Sequence, residues 1–327
     1  MASLESAWAL FTASMGGRWV EEDWGMAHGV VARVPAETFR AGRQPKSGTR
    51  RRLERLLGDV GVCSALLIFV IWTLAPVAWM IVSSLLNQVA LTSVPPDLSR
   101  GQFTLDNYRG VLATGGSLVP ALKNSLVISL LTTGIALALG SAAAYAIARL
   151  SVPGGNTILL MTLATQMFPG IVIIIPLFIV LSRLQLIDTY GGLVLVYLSF
   201  VLPIVIWILK GFFESIPPEL EKAAAVDGAS TLQTFTRIVL PISLPPLFAT
   251  GIFAFIESWN EFMFAIILTR LNTKTVPIAI SEFAGQYQTA VGQMVAAAAL
   301  ASVPVIVMAI VFRKYILMGF AEGALKG

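Results

Sequence analysis

From residue 60 onward the chain alternates long apolar runs with short polar ones. Six runs are long enough to cross a hydrocarbon core, which takes about 20 apolar residues at 1.5 Å each: Val60 to Leu86, Asn124 to Ala148, Asn156 to Leu181, Tyr190 to Leu209, Ile242 to Leu268 and Val291 to Phe312. Each is continuous rather than alternating in polarity, so the pattern predicts helices and not the strands of a membrane barrel. Pro169 and Pro176 in the third run, Pro203 in the fourth and Pro304 in the sixth each remove a backbone donor, which predicts kinked spans. The turn Pro153-Gly154-Gly155 breaks the chain sharply between the second and third runs.

One polar gap differs from the rest. Residues 211–241 are too long for a turn and carry their own helix signals. Pro217 and Pro218 suit a first helical turn, and Gly228 suits the position just past a helix end. Glu219 and Glu221 fall where the helix dipole favours negative charge. Leu220, Ala223 and Ala224 share a face at i, i+3 and i+4, an apolar knob beside two methyls. Ser230 followed by Gln233 matches a capping box opening a second helix, and Pro241 closes it. Two short helices at an angle, with small residues facing out, call for a surface that this segment does not supply, and the reading is helix-in-groove docking onto another polypeptide. A lipid-lying helix would carry Lys and Arg opposite bulky apolar residues instead.

Composition agrees with a membrane protein. The 327 residues are 56% hydrophobic and 12% charged, with mean hydropathy +0.81, against roughly a quarter charged in soluble domains. Of the 22 Lys and Arg, 16 fall on one side of the six spans if the N-terminus is inside; only Arg100, Arg109, Lys123, Arg183, Arg270 and Lys274 fall on the other. Retention of positive charge on the cytoplasmic side then places both termini and residues 211–241 in the cytoplasm. Arg50, Arg51, Arg52 and Arg55 before the first span read as a topology anchor, not a nucleic-acid site. The single cysteine, Cys63, allows no internal disulfide and reads as packing; the single histidine, His28, lies in the tail, so no histidine-based metal site is expected. Residues 1–57 read either as a cytoplasmic extension or as an upstream start codon carried into the protein; residues 58–327 read as the membrane domain.

Within the fifth run, Glu257 and Glu261 sit i, i+4 on a face with Asn260 and Phe264. An ionised carboxylate at mid-bilayer costs about 2.5–3.5 kcal/mol on insertion scales, so this face should line a polar path or a subunit interface rather than meet lipid. Carboxylates and amides beside aromatic rings suit a hydroxyl-rich solute, and bonds to neighbouring helices or to a partner subunit are the alternative. Trp259 points away and reads as packing. A secondary transporter using Glu257 or Glu261 as a proton relay is the competing function, without the internal repeats such proteins show. A membrane enzyme lacks a nucleophile–base or metal constellation.

Four patterns in order resemble the permease subunits of type I ATP-binding-cassette (ABC) importers, within them the carbohydrate group represented by the second permease of maltose and trehalose transporters. They are Phe103 to Tyr108, the cassette with Ala223-Ala224 and Gly228 followed by Ile238 to Pro241, Ser258 to Phe262, and Gly319 to Gly327. The likeness covers roughly residues 57–327. One departure is Lys222, where the family commonly has glutamate; here the glutamate is one place earlier, at Glu221. The resemblance implies an all-α integral membrane protein of six spans, non-catalytic, importing a sugar, with a disaccharide favoured. It implies that Glu221, Lys222, Ala223, Ala224, Asp227, Gly228, Ile238, Leu240 and Pro241 meet a cleft in a cytoplasmic ATPase. Its other implied partners are a second permease and an external solute-binding protein, in a prokaryotic cell membrane. The chain has no G-x-x-x-x-G-K-[ST] loop, so ATP and magnesium would be used by the partner ATPase, with no cofactor bound here.

Overall fold

A computed structural model describes residues 48–99, 102–113, 117–150, 152–285 and 290–324. The tail with His28 and most of residues 1–57 lie outside the described residues, as do residues 325–327; of the Arg50 to Arg55 and Gly319 to Ala324 side chains nothing is described. The chain divides into two units, Met1–Ala65 and Leu66–Gly327. The described part of the first is the opening of helix α1 (Gly48–Ser84).

The second unit is helical; among the described residues the strand-like features are an isolated bridge between Leu86 and Phe103 and a bridge position at Ala284. After α1 come α2 (Gln88–Thr92), α3 (Asp106–Leu112), α4 (Leu118–Arg149), α5 (Gly155–Thr165), α6 (Gly170–Arg183), α7 (Tyr190–Ser215) and α8 (Pro218–Val226). Then follow α9 (Thr231–Ile242), α10 (Leu244–Trp259), α11 (Ala265–Leu268), α12 (Val276–Ser281) and α13 (Val291–Ala324). Val60–Ser84, α4, α7 and Val291–Tyr315 are each long and apolar enough to cross a membrane unbroken.

The other two expected spans are not single rods. The third is split into α5 and α6 with a 97° bend, at Gln166 to Pro169, where Pro169, with φ −58° and ψ 121°, directly precedes α6. The fifth begins only after a 78° bend between α9 and α10, and it stops at Trp259 rather than running to Leu268. Hydropathy passes over the bend at Gln166 to Pro169, because long apolar runs lie on both sides of it.

α4 is the spine. It packs along α7 and α10, and α10 packs in turn on α13. Val201, Val205, Leu209 and Phe213 of α7 bury against Ala136, Ala144 and Tyr145 of α4, with Leu247 and Ala254 of α10. Gly140 permits this approach: a Cβ there would lie 2.7 Å from a Val205 methyl. Near the end of α1, Asn107 of α3 donates to the Ser84 and Leu86 carbonyls at 2.9 and 2.8 Å, and the Tyr108 hydroxyl lies 2.6 Å from the Ser84 hydroxyl. The Phe103 to Tyr108 motif is therefore an anchor between α1 and α3.

Candidate coupling elbow and solute path

The segment 217–241 folds as its local signals require. α8 starts at Pro218 with Pro217 before it. It ends in a Schellman arrangement, in which the Ala229 N–H donates to the Ala224 carbonyl at 2.9 Å and the Gly228 N–H to that of Ala225 at 3.1 Å. Gly228 takes φ +81°, a left-handed conformation that costs an L-residue roughly 1–2 kcal/mol. The Ser230–Gln233 capping box forms with both bonds present. Within α9, residues Phe235–Val239 widen into a π-turn.

The orientation of α8 departs from expectation. Ala224 is buried inside the chain at 5% exposure, so it does not share an outward face with Leu220 and Ala223. Glu221 is also turned inward: its Oε1 lies 3.0 Å from Arg149 Nε, with the two side chains 19% and 14% exposed. The Tyr145 hydroxyl donates to Glu221 Oε2 at 3.0 Å, and Arg149 Nη2 donates to the Ile216 carbonyl. Spacing i, i+3 puts Glu221 and Ala224 on one stripe, and the carboxylate finds its cation at the end of α4. Leu220, Val226 and Leu232 are the exposed apolar side chains, joined outside by Lys222, Ala223, Asp227 and Gly228. Beyond the elbow, Val239 is fully buried in the α4–α7 core, Ile238 and Leu240 are half-buried and Pro241 is exposed.

The α10 face is reorganised as well. Because the helix ends at Trp259, Glu257 and Glu261 do not share a helical face. Glu261 caps α11, accepting from the Phe264 and Ala265 N–H groups at 2.8 and 3.0 Å. Phe264 stacks on Phe200 with centroids 5.6 Å apart. Trp259 is buried and stacks on Phe255 at 5.5 Å, as packing. Glu257 is exposed and has no side-chain partner among the described residues. Asn260 lines a cleft of about 480 Å³ together with Trp259, Val276, Pro277, Ala301 and Ser302, within the size range of small-molecule sites. Of the four residues expected along a solute path, Asn260 lines this cleft, and Glu257, Glu261 and Phe264 are not among its lining residues. Among the described residues no cluster of His, Cys, Asp and Glu could hold a metal ion.

Three residues absent from the sequence-derived sites prove central: Tyr145, Arg149 and Asp188. Asp188, between α6 and α7, accepts from the N–H groups of Arg270, Asn272 and Thr273, from the Asn272 amide and from the Thr273 hydroxyl, at 2.9–3.2 Å. Burial opposes its ionisation, but these donors outweigh burial and bring its carboxyl down to about 2. Next to it, Asn124 of α4 donates to the Asn272 and Lys274 carbonyls and accepts from the Tyr190 hydroxyl at 2.7 Å.

Residues 134–317 match the family of binding-protein-dependent transport system inner membrane components. The trehalose transport permease SugB of Mycobacterium tuberculosis is 39% identical over 78% of this chain and 93% of its own length. The trehalose/maltose transport permease MalG of Thermococcus litoralis is 38% identical over 84% and 98%. A crystal structure of a bacterial ABC transporter that imports alginate aligns over 81% of this chain and 98% of its own, with TM-score 0.65 at 22% identity, and so shares the fold. A second crystal structure, of a bacterial alginate ABC transporter in complex with alginate pentasaccharide-bound periplasmic protein, aligns with TM-score 0.55 at 19% identity, over 81% and 94%. The chain belongs to the binding-protein-dependent transport system inner membrane components: it is a multi-pass permease of an ABC importer in the prokaryotic cell membrane.

Proposed function

We propose that this chain is the six-span, non-catalytic translocation subunit of an ATP-driven carbohydrate importer, with a disaccharide such as trehalose or maltose as solute. The observation that carries the sugar is the 38–39% identity, across nearly the full length of each relative, to permeases named for trehalose and for trehalose and maltose. In this reading residues 58–327 form the membrane domain, each bent helix pair counts as one span, and both termini lie in the cytoplasm with the excess of positive charge. A second permease, two ATPase subunits and an external solute-binding protein complete the machine, and ATP and magnesium are used by the ATPase alone.

The elbow made by α8 and α9 meets an ATPase cleft through Leu220, Lys222, Ala223, Val226, Asp227 and Leu232. Asn260 contacts the solute in the cleft between α10, α12 and α13, and exposed Glu257 faces the second permease or the aqueous path. The ion-coupled alternative, a relay through Glu257 or Glu261, has no support among the relatives, and Glu261 is engaged by the Phe264 and Ala265 N–H groups at a helix start.

The test is reconstitution of the permease pair, ATPase and binding protein in proteoliposomes, with a sugar panel presented through the binding protein. A trehalose- or maltose-type disaccharide should raise ATP turnover and accumulate inside. If no sugar in the panel does either, the carbohydrate assignment is wrong. Asn260→Ala should raise the solute concentration for half-maximal transport several-fold with little change in the maximal rate.

A further inference from the structure

The coupling elbow is held to the membrane helices by one polar junction in an otherwise apolar core. It collects four groups from three parts of the chain. Tyr145 and Arg149 come from the last turns of α4, Glu221 from α8, and the Ile216 carbonyl from the α7–α8 link. The Tyr145 ring is wedged between Phe213 of α7, edge-on at 6.2 Å, and Phe235 of α9 at 4.8 Å, so its hydroxyl has little freedom to aim elsewhere. By contrast Glu219, Lys222, Asp227 and Arg237, also on the elbow, are exposed and have no charged partner among the described residues. The elbow thus spends one charge internally and leaves the others free.

Half-buried charges behave differently from free ones. Removing one partner of a desolvated pair strands the other, whereas exposed pairs contribute little. Glu221 is turned away from an outside cleft: its Oε1 forms an ion pair with Arg149 at 3.0 Å and its Oε2 accepts from Tyr145, both on α4. At its far end α4 is fastened again: Asn124 holds the Asn272 and Lys274 carbonyls, and the Ser125 hydroxyl accepts from the Val276 N–H at 2.8 Å. Val276 and Pro277 line the cleft that contains Asn260. α4, about 48 Å long at 1.5 Å per residue, therefore joins the elbow to the cleft wall through side-chain bonds at both ends.

We propose that Glu221 is a positioning residue of the permease's own frame, not a contact to the ATPase: with Arg149 and Tyr145 it makes α8 and α4 one rigid body, so that a displacement of the elbow reaches the α10–α12 cleft through α4. This rests on the reading that an ATPase docks on the elbow. What passes between the sites is a rigid-body shift of one helix, and the contacts at both its ends are the physical link.

The experiment compares the complete complex with and without Glu221→Gln, which keeps the shape and removes the charge. Co-purification of the permease with tagged ATPase is measured first, then solute moved per ATP hydrolysed in proteoliposomes. The expected result is unchanged co-purification with at least a tenfold fall in solute per ATP. The charge exchange Glu221→Arg with Arg149→Glu should regain a large part of that loss, which a residue contacting the ATPase would not do. Tyr145→Phe, which deletes one hydrogen bond and retains the ring, should give a smaller, roughly threefold fall and serves as the gentler probe should Glu221→Gln not accumulate. Lost co-purification in Glu221→Gln, or unaltered solute per ATP in both Glu221→Gln and Tyr145→Phe, overturns the proposal. If the unsubstituted chain fails to co-purify with an ATPase, the importer reading fails first and the proposal with it.

Discussion

The two ends of α4 are fastened by different chemistry. At the elbow end the bonds run mainly between side chains, a single ion pair with one phenol beside it. At the Asn124 end, side chains bind mainly backbone groups: Asn124 and Ser125 hold the 272–276 segment, and Asp188 gathers the backbone N–H groups of Arg270, Asn272 and Thr273. A side chain that caps several backbone donors fixes the path of the chain itself, while a side-chain pair fixes only the relation between two helices. The Asn124 end is thus a socket, and the elbow end is a joint whose strength rests on one charge pair.

The largest effect should come from breaking the rod that both ends share. Gly140→Leu drives a side chain into Val205, already 2.7 Å from where a Cβ would sit. Overpacking of this kind costs roughly 1–3 kcal/mol or more. The expected outcome is loss of a monodisperse, thermally stable complex by size exclusion and a melting scan, with both ends disordered together.

Gly228→Val attacks the joint alone. A β-branched residue at φ +81° is strained by roughly 1–2 kcal/mol in a turn with open space around it, so the permease should still accumulate while uptake of labelled solute is abolished. Normal uptake would show that the angle between α8 and α9 is immaterial. The paired variants Ala224→Leu and Ala223→Leu sharpen the inside–outside assignment of α8. The first overfills a buried site, destabilising the permease by roughly 1–3 kcal/mol and lowering its melting temperature. The second leaves melting unchanged and weakens co-purification with the ATPase. Equal melting of the two would contradict the orientation.

How much of this was legible depended on how local each signal was. The elbow could be read residue by residue, since Pro218, Gly228 and the Ser230–Gln233 box act within a few positions of themselves. Four membrane helices followed from hydropathy alone. What the sequence concealed was long-range or masked by uniform apolarity. The bend at Gln166 to Pro169 sits between apolar runs, and the end of α10 at Trp259 falls inside a short polar stretch, Glu257 to Glu261, flanked by apolar residues. The inward turn of Glu221 depends on Tyr145, 76 positions away, and on Arg149, whose charge was counted only toward topology. The i, i+4 pairing of Glu257 with Glu261 assumed a continuous helix, and the helix ends between them.

The socket should show the smallest effects, and it should be insensitive to pH. Asp188 has a lowered carboxyl pKa, so its contribution is complete above the ordinary carboxylate value near 3.9 and is lost only as pH falls through about 2. Hydrogen exchange in residues 269–275, corrected for intrinsic rate, should then be flat from pH 8 to pH 5. Asp188→Asn, which replaces an accepting oxygen by a donor, should quicken that exchange several-fold while leaving the elbow's protection intact. A parallel change at α8 would mean that the two ends are not separately fastened.

The central claim is that α8 and α4 move together, and the spacing between them through the ATP cycle tests it most directly. With Cys63 replaced by serine, spin labels at exposed Leu150, next to the α4 end, and at exposed Ala225 on α8 report that spacing in the assembled complex. The account predicts one distance, unchanged between nucleotide-free and ATP-bound states, which becomes broad or shifts with nucleotide once Glu221→Gln is introduced. A distance that already changes with ATP in the unsubstituted protein would contradict it.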